Sequence, residues 1–366
     1  MRGCPRDMHC DSPNEWTCVN EEGTSMTTLS LQTLATDMNG TAQAMAIENC
    51  PLCDDSRNAL VYRVIVPSGN HAGVFELRRC QSCDIVFVSP RLSDDELSKL
   101  YDEDFYFSTG WSYETLASSV IEFIQSRRRH RVERHVQPGR LLDIGSGDGR
   151  FAHHMAHHGW DATGIDFSPA AQDFAHRFRS SARFLQGSLE DYHFPARSLD
   201  LVTLWQVLEH IGEPRPLLQR CYNLLEPGGM FVASVPNIDG WSSRLTRERW
   251  WGLDVPRHLV HYSPSTLRCS LEQAGFRVIH IRHHSLQYDP YALLHSSLDW
   301  AFSRRHFLSN FAKRQVPEDM GGREYFYNLA SLVALAPILA PLCVATTSVG
   351  SFLGYGGFIE VYARRD

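Results

Sequence analysis

The stretch Leu141-Leu142-Asp143-Ile144-Gly145-Ser146-Gly147-Asp148-Gly149-Arg150 decides the fold. An apolar run closes on an acidic residue, three glycines follow on alternate positions, and Phe151 opens a helical pattern. Together these read as a strand, a tight turn and a helix start. Glycine reaches positive φ without steric cost and, lacking a Cβ, lets a ligand press against the backbone, so the turn is a ligand seat. A dinucleotide loop runs G-x-G-x-x-G, with the pyrophosphate on the helix N-terminus. Here the third glycine comes one residue early and Asp148 would repel a pyrophosphate, which argues against NAD.

Outward from this loop, strands alternate with helices in the βαβ manner of a parallel sheet. A helix is expected over 149–158, ended by Gly159, and a second strand over 162–165, finishing at Asp166. Ser168 and Pro169 then offer an N-cap and an N1 proline. Asp166 stands 21 residues beyond Gly145, where an acidic side chain can accept hydrogen bonds from both ribose hydroxyls of a nucleoside ligand. Further strands are expected over 183–186, within 198–210, and over 231–235, 276–281 and 358–363, the one at 231–235, fifth in the series, entered through the tight turn of Gly228 and Gly229.

The glycine loop, Asp166, the segment Ser198-Leu199-Asp200-Leu201-Val202-Thr203-Leu204-Trp205-Gln206-Val207-Leu208-Glu209-His210 and the segment Leu224-Leu225-Glu226-Pro227-Gly228-Gly229-Met230 resemble the class I S-adenosylmethionine (SAM) methyltransferases from residue 140 to about 283. The resemblance implies an α/β fold, a Rossmann-like seven-stranded sheet with helices on both faces. It also implies SAM as methyl donor. SAM carries an ammonium and a sulfonium but no phosphate, so a carboxylate at Asp143 favours it. Cofactor contacts would fall to Asp143, Gly145, Ser146, Gly147, Asp166, Phe167, Ser188, Leu189 and Trp205. Many relatives place an Asp where Gly187 or Ser188 stands, which leaves adenine to backbone groups and Ser188.

Before this domain, Cys50-Pro51-Leu52-Cys53 and Cys80-Gln81-Ser82-Cys83 flank two β-rich stretches, 60–66 and 74–77. Two C-x-x-C knuckles around a hairpin-sized segment are the ligand set of a tetrahedral Cys₄ zinc ribbon, with no coordination position left for substrate. The ribbon, the Pro90-Arg91 after it and the aromatic-acidic run around Tyr101 and Tyr106 resemble the N-terminal module of a methyltransferase subset that includes deoxysugar C-methyltransferases. There the module helps bind substrate, which makes Tyr106 a candidate catalytic residue. The expected organisation is a disordered extension over 1–46, a ribbon module over 47–110 and a methyltransferase domain over 111–366. Cys4, Cys10 and Cys18 fall in the extension at irregular spacing, and Met45 is a candidate natural start. The arginines at 127, 128, 129, 131 and 134 are read as a solvated face of a helix over 115–136.

On the substrate side, the insertion after the fifth strand offers Trp241, Trp250 and Trp251 as flat walls and Arg244, Arg247 and Arg249 as anion forks. Asp254-Val255-Pro256-Arg257-His258-Leu259-Val260-His261 resembles a Pro-x-His-Leu segment of the same subset. A hydroxyl, or a carbon beside a carbonyl, must lose a proton to accept methyl, and imidazole titrates near working pH. His258, His261 and His210 are therefore the candidate bases.

Residues 325 to 359 carry no charge, and 329–353 is long and apolar enough to span a bilayer. Because the final strand must rejoin the sheet, the expected form is a helical hairpin, broken at Pro337 and Pro341, packed on the domain or dipping into one leaflet. A lipid-linked substrate would explain it. With 35 basic against 42 acidic residues, a net charge of −7 gives no sign of a nucleic-acid partner. The absence of an Asn-Pro-Pro-Tyr type segment also argues against RNA methylation, the rival activity; a non-catalytic SAM-binding protein is the other alternative. No secretory signal is visible, so the expected location is cytoplasmic, with membrane association through 329–353. The expected acceptor is a small molecule, whether nucleotide sugar, polysaccharide or lipid-linked precursor, or natural product.

Overall fold

A computed structural model describes residues 44–66, 73–93, 96, 97, 100, 116–283, 285, 288–303, 307–312 and 320–366. Tyr101, Tyr106 and the three N-terminal cysteines lie outside the described residues.

Five strands precede the catalytic core: β1 (Ala44–Met45), β2 (Asn58–Val66), β3 (Gly73–Cys80), β4 (Val86–Ser89) and β5 (Arg91–Leu92). The core itself is built from β6 (Arg140–Ile144), β7 (Asp161–Asp166), β8 (Arg183–Gln186), β9 (Leu199–Trp205) and β10 (Leu225–Pro236), followed by a short β11 (Val260–His261), β12 (Phe276–Arg282) and β13 (Phe358–Arg365). Seven of these form one sheet in the order β12-β13-β10-β9-β6-β7-β8. β13 is the one strand that runs antiparallel to its neighbours. β6, β9 and β10 are near-continuous apolar runs because helices cover both faces of the sheet. Their side chains divide into two cores, one on each face. Leu142, Val202, Leu204 and Phe231 belong to the first; Leu141, Leu201, Met230 and Val232 belong to the second.

The expected strands are all present, with ends shifted by a residue or more. β10 begins six residues early, at Leu225, and its register slips between Leu225 and Met230 as Gly228 takes φ 85°. The helix after β7 starts at Ala170, so Pro169 occupies the N-cap position rather than N1. Ser168 Oγ still accepts a hydrogen bond from the Ala170 amide at 3.1 Å.

β2, β3 and β4 form the expected hairpin sheet, but its fourth strand is β11, which belongs to the insertion after β10. Val260 pairs with Phe87 and His261 with Val86. The ribbon and the insertion after β10 therefore share a sheet. β1 pairs with β5, so ordered structure includes Ala44 and Met45 within the stretch expected as extension.

The insertion between β12 and β13 departs from expectation. Its main element is one helix, Gly322–Phe352, which continues through Pro337 and Pro341. Each proline removes one donor, yet Leu and Ala dominate the turns around them and are strong helix formers. The hydroxyls further along stay inside the helix by donating backwards, Thr347 Oγ1 to Cys343 O and Ser348 Oγ to Val344 O, each at 2.7 Å. The long helix packs instead on the helix Asp289–Leu298 and the segment after it: Leu298, Phe302 and Phe307 lie against its Leu332, Leu335 and Leu339.

Candidate active site

The loop after β6 is held by its own sheet. The Gly145 and Ser146 amides both donate to Ile165 O, at 2.8 and 3.0 Å, which anchors the turn to β7. Gly145 sits at φ 68°, and a Cβ there would lie 2.3 Å from Val207 Cγ2. Gly147 takes φ 57° with open space where a Cβ would be, so the loop presents bare backbone outward. Asp143 is buried beneath it, and register sets it beside Thr203 of β9. Thr203 Oγ1 donates to Asp143 Oδ1 at 2.6 Å. Burial, only partly opposed by that bond, pushes the Asp143 carboxyl up to about 7.

Asp166 lies at the C-terminal end of β7, as expected, and does a second job. Its Oδ2 accepts from the Gly147 amide at 2.8 Å and its Oδ1 from the Ser168 amide at 2.9 Å. The carboxylate thereby ties the glycine loop to the end of β7 and to the start of the helix that follows. Phe167, next to it, is 72% exposed, an apolar ring uncovered beside the loop.

After β8 the Asp191 carboxylate turns back to Gly187 and Ser188. Gly187 takes φ 131°, and a Cβ there would be 2.7 Å from Asp191 Oδ2. The Ser188 amide and hydroxyl both donate to that oxygen, at 2.7 and 2.8 Å, and these bonds hold the Asp191 carboxyl below its usual value. The signal was in the sequence, as a Ser-x-x-Asp capping box. Leu189 is buried in the core.

Trp205 closes β9. Its ring meets Phe151 edge-on at 5.2 Å and carries the Arg128 guanidinium 4.5 Å above it. The arginine run is a solvated face only in part: Arg127 and Arg134 are exposed, but Arg128 is buried, Arg131 pairs with Glu360 at 3.0 Å, and Arg129 pairs with Glu133 at 2.6 Å. Burial of a cation on an indole near Asp143 replaces hydration by cation–π attraction and by Coulomb attraction to that carboxylate.

The three candidate bases converge. The rings of His210 and His258 are 4.6 Å apart, and those of His258 and His261 are 6.3 Å apart. Glu209, in the turn Leu208–His210 just after β9, joins them; the Leu259 amide donates to its carbonyl at 2.8 Å. Burial pushes Glu209 up to about 8, His210 down to about 4, and His258 and His261 down to about 3. All four are therefore uncharged near pH 7. Asp254 Oδ2 stands 3.7 Å from His258 Nε2, and Arg257 holds the other Asp254 oxygen at 2.6 Å. Sequence reasoning found the histidines and did not assign Glu209 or Asp254 a role.

The tryptophans separate. Trp250 is buried in the ribbon core with Phe75 and Leu77, so it is no pocket wall. Trp241 stacks on Tyr355 at 6.1 Å, and Trp251 meets Tyr291 edge-on at 5.5 Å. Arg244 and Arg249 lie over Tyr355 and Trp300, occupied by aromatic faces. A groove of about 530 Å³ runs between the ribbon and the helix Pro214–Leu224, lined among others by Leu52, Arg91, Arg215 and Leu259.

In the ribbon, Cys50, Cys53, Cys80 and Cys83 bring their sulfurs within 4.8 Å of one another. The pairs Cys50–Cys83 and Cys53–Cys80 are 3.5 Å apart. Tetrahedral zinc at Zn–S of about 2.3 Å places its sulfurs roughly 3.8 Å apart, so the set fits. The knuckles match: Asp54 and Asp84 take φ 62° and 64°, and the Leu52 and Ser82 amides point at Cys50 and Cys80 sulfurs, at 3.5 and 3.4 Å.

Residues 116–281 match the family model described as "Methyltransferase domain". The chain is 29% identical over 152 residues to the ubiquinone biosynthesis O-methyltransferase of Psychrobacter cryohalolentis, a match covering 35% of this chain and 59% of that protein. It is 30% identical over 161 residues to a Mycolicibacterium smegmatis protein named "Probable S-adenosylmethionine-dependent methyltransferase", covering 43% of this chain and 58% of that one. The chain thus spans less than two thirds of the length of these curated relatives. Among solved structures, a S-adenosylmethionine-dependent methyltransferase from Mesorhizobium loti superimposes with a TM-score of 0.41 at 19% identity, covering 66% of this chain and 98% of that one.

Proposed function

From a chain that carries a class I S-adenosylmethionine-dependent methyltransferase domain over residues 116–281, we propose an enzyme that methylates oxygen or carbon of a small molecule. The acceptor classes that suit it are a nucleotide sugar, a polysaccharide or lipid-linked precursor, or a natural product. The observation that carries the reading is the glycine loop, tied by Asp166 to β7 and set above the buried Asp143.

SAM, when bound, supplies a methyl group already activated on a sulfonium, so positioning provides much of the rate. In this reading Asp143 attracts the ammonium, Asp166 receives the ribose hydroxyls, and Asp191 with Ser188 faces adenine, with Phe167 alongside. The cluster of His210, His258 and His261 would stand on the acceptor side, where the acceptor's proton has to leave. Arg91 and Arg215 on the groove suit an anionic acceptor. Cys50, Cys53, Cys80 and Cys83 would hold a structural zinc that cross-links the ribbon. The apolar exposed face of Gly322–Phe352, the described helix long and apolar enough to cross a membrane, would rest on lipid and favour a lipid-linked acceptor.

Titration calorimetry with SAM tests the core of the reading. Binding that weakens in Asp166→Ala is expected; no binding by the intact protein would remove the reading's basis. Transfer of labelled methyl from SAM into a metabolite extract then identifies the acceptor.

A further inference from the structure

The cluster of buried Glu209, His258 and His261 with half-buried His210 poses a problem that proton transfer does not solve. Glu209 is 1% exposed, and neither carboxylate oxygen finds a hydrogen-bond partner in another residue. A buried carboxyl without a partner is costly, and such groups ask for an explanation, an ion among them. The two nearest imidazoles are arranged alike. His210 Nδ1 lies 3.1 Å from Arg257 O and His258 Nδ1 lies 2.9 Å from Gly252 O. A backbone carbonyl can only accept, so each ring carries its proton on Nδ1 and turns the Nε2 lone pair away from that contact. An imidazole whose second nitrogen is oriented by a carbonyl is how proteins present histidine to a metal. One ligand atom each from Glu209, His210 and His258 lies within 4.8 Å of the others.

We propose that Glu209, His210 and His258 form a second metal site, distinct from the four cysteines, that binds a first-row divalent cation of the zinc class. Two neutral imidazoles and one carboxylate suit such an ion and leave a coordination position open, unlike the closed thiolate set. Asp254 and His261 flank the site, Asp254 Oδ2 at 3.7 Å from His258 Nε2. The ring nitrogens of His261 have no hydrogen-bond partner, so its side chain is available to an incoming group.

The site stands close to the ligand loop, because Val207, two residues before Glu209, packs on Gly145. Binding of the ion needs nothing from the methyltransferase reading; its role at the acceptor rests on that reading. An ion there would take an acceptor through oxygen and acidify its hydroxyl, the proton passing to solvent, and so favours an oxygen acceptor over carbon.

Cobalt(II) titration of the full-length apoprotein, followed by absorption, separates the two sites. A thiolate site gives intense sulfur-to-metal charge transfer, whereas a nitrogen–oxygen site gives d–d bands alone. Two spectral classes are expected in the wild type, and Glu209→Gln and His258→Asn are each expected to lose the nitrogen–oxygen class while the thiolate class persists and reports a folded ribbon. A wild-type protein with the thiolate class alone overturns the proposal, as does a nitrogen–oxygen class that survives in both variants. SAM calorimetry on the same samples keeps the readings apart: a protein that binds SAM but shows one cobalt class loses the metal site only. Two classes without SAM binding would support the metal site and remove the methyltransferase reading.

Discussion

At the scale of single residues, Asp143 and Gly145 carry the sharpest consequences. Asp143 is held near 7 by burial, so below that pH the apoprotein carries it protonated and neutral. If it attracts the ammonium of SAM, affinity rises with pH up to about 7, by at most about tenfold per unit, since only the ionised form attracts the cation. Calorimetry across this range should show that rise, and Asp143→Asn should flatten it. Affinity that does not change between about pH 5.5 and about pH 7.5 would deny Asp143 the role. The same shift has a stability consequence of opposite sense. A raised carboxyl stabilises the unliganded fold fully below its unfolded pKa, and the contribution is lost as pH rises through about 7. Gly145→Ala meets both a left-handed φ and Val207 Cγ2. It should cost about 1–3 kcal/mol, seen as a lower Tm, and should abolish SAM binding. Adding Val207→Ala should recover part of the stability, because it removes the collision and leaves the strained φ.

At the scale of elements, the helix Gly322–Phe352 shows where pattern reading stops. Its apolar residues follow no single face, and Val333, Ile338, Leu342 and Phe352 are exposed while Leu332, Leu335 and Leu339 pack inward. Proline read as a break because it removes a donor and crowds the preceding turn. A helix among strong formers, with its hydroxyls bonded backwards, continued regardless. Lys in place of Ile338 and Leu342 puts two charges on the exposed face without touching the packed one. The double variant should therefore keep its Tm and lose sedimentation with lipid vesicles. Equal sedimentation of variant and wild type, or none by either, would exclude lipid as the helix's partner.

At the scale of the whole molecule, the ribbon and the catalytic domain are coupled through β11. Because His261 pairs with Val86, and the Val88 amide donates to Leu259 O at 3.0 Å, loosening the ribbon should disturb the acceptor side. Chelation of a zinc held by the four cysteines should lower the Tm in one cooperative transition and depress turnover more than SAM affinity. Two separated transitions would show that the shared sheet does not couple the units. The order of strands, the glycine loop, the place of Asp166 and the pairing of the C-x-x-C knuckles were legible in the sequence. Each is a local pattern in which backbone geometry dictates residue type: glycine for positive φ, alternation of apolar runs for a covered sheet, two-residue spacing for a knuckle. The meeting of Glu209, His210 and His258, the burial of Arg128 on Trp205 and the sharing of one sheet by ribbon and insertion were decided by tertiary structure alone. Those partners are brought together by chain reversals, and burial then sets the charge state of the groups that meet, so no window along the chain contains the cause.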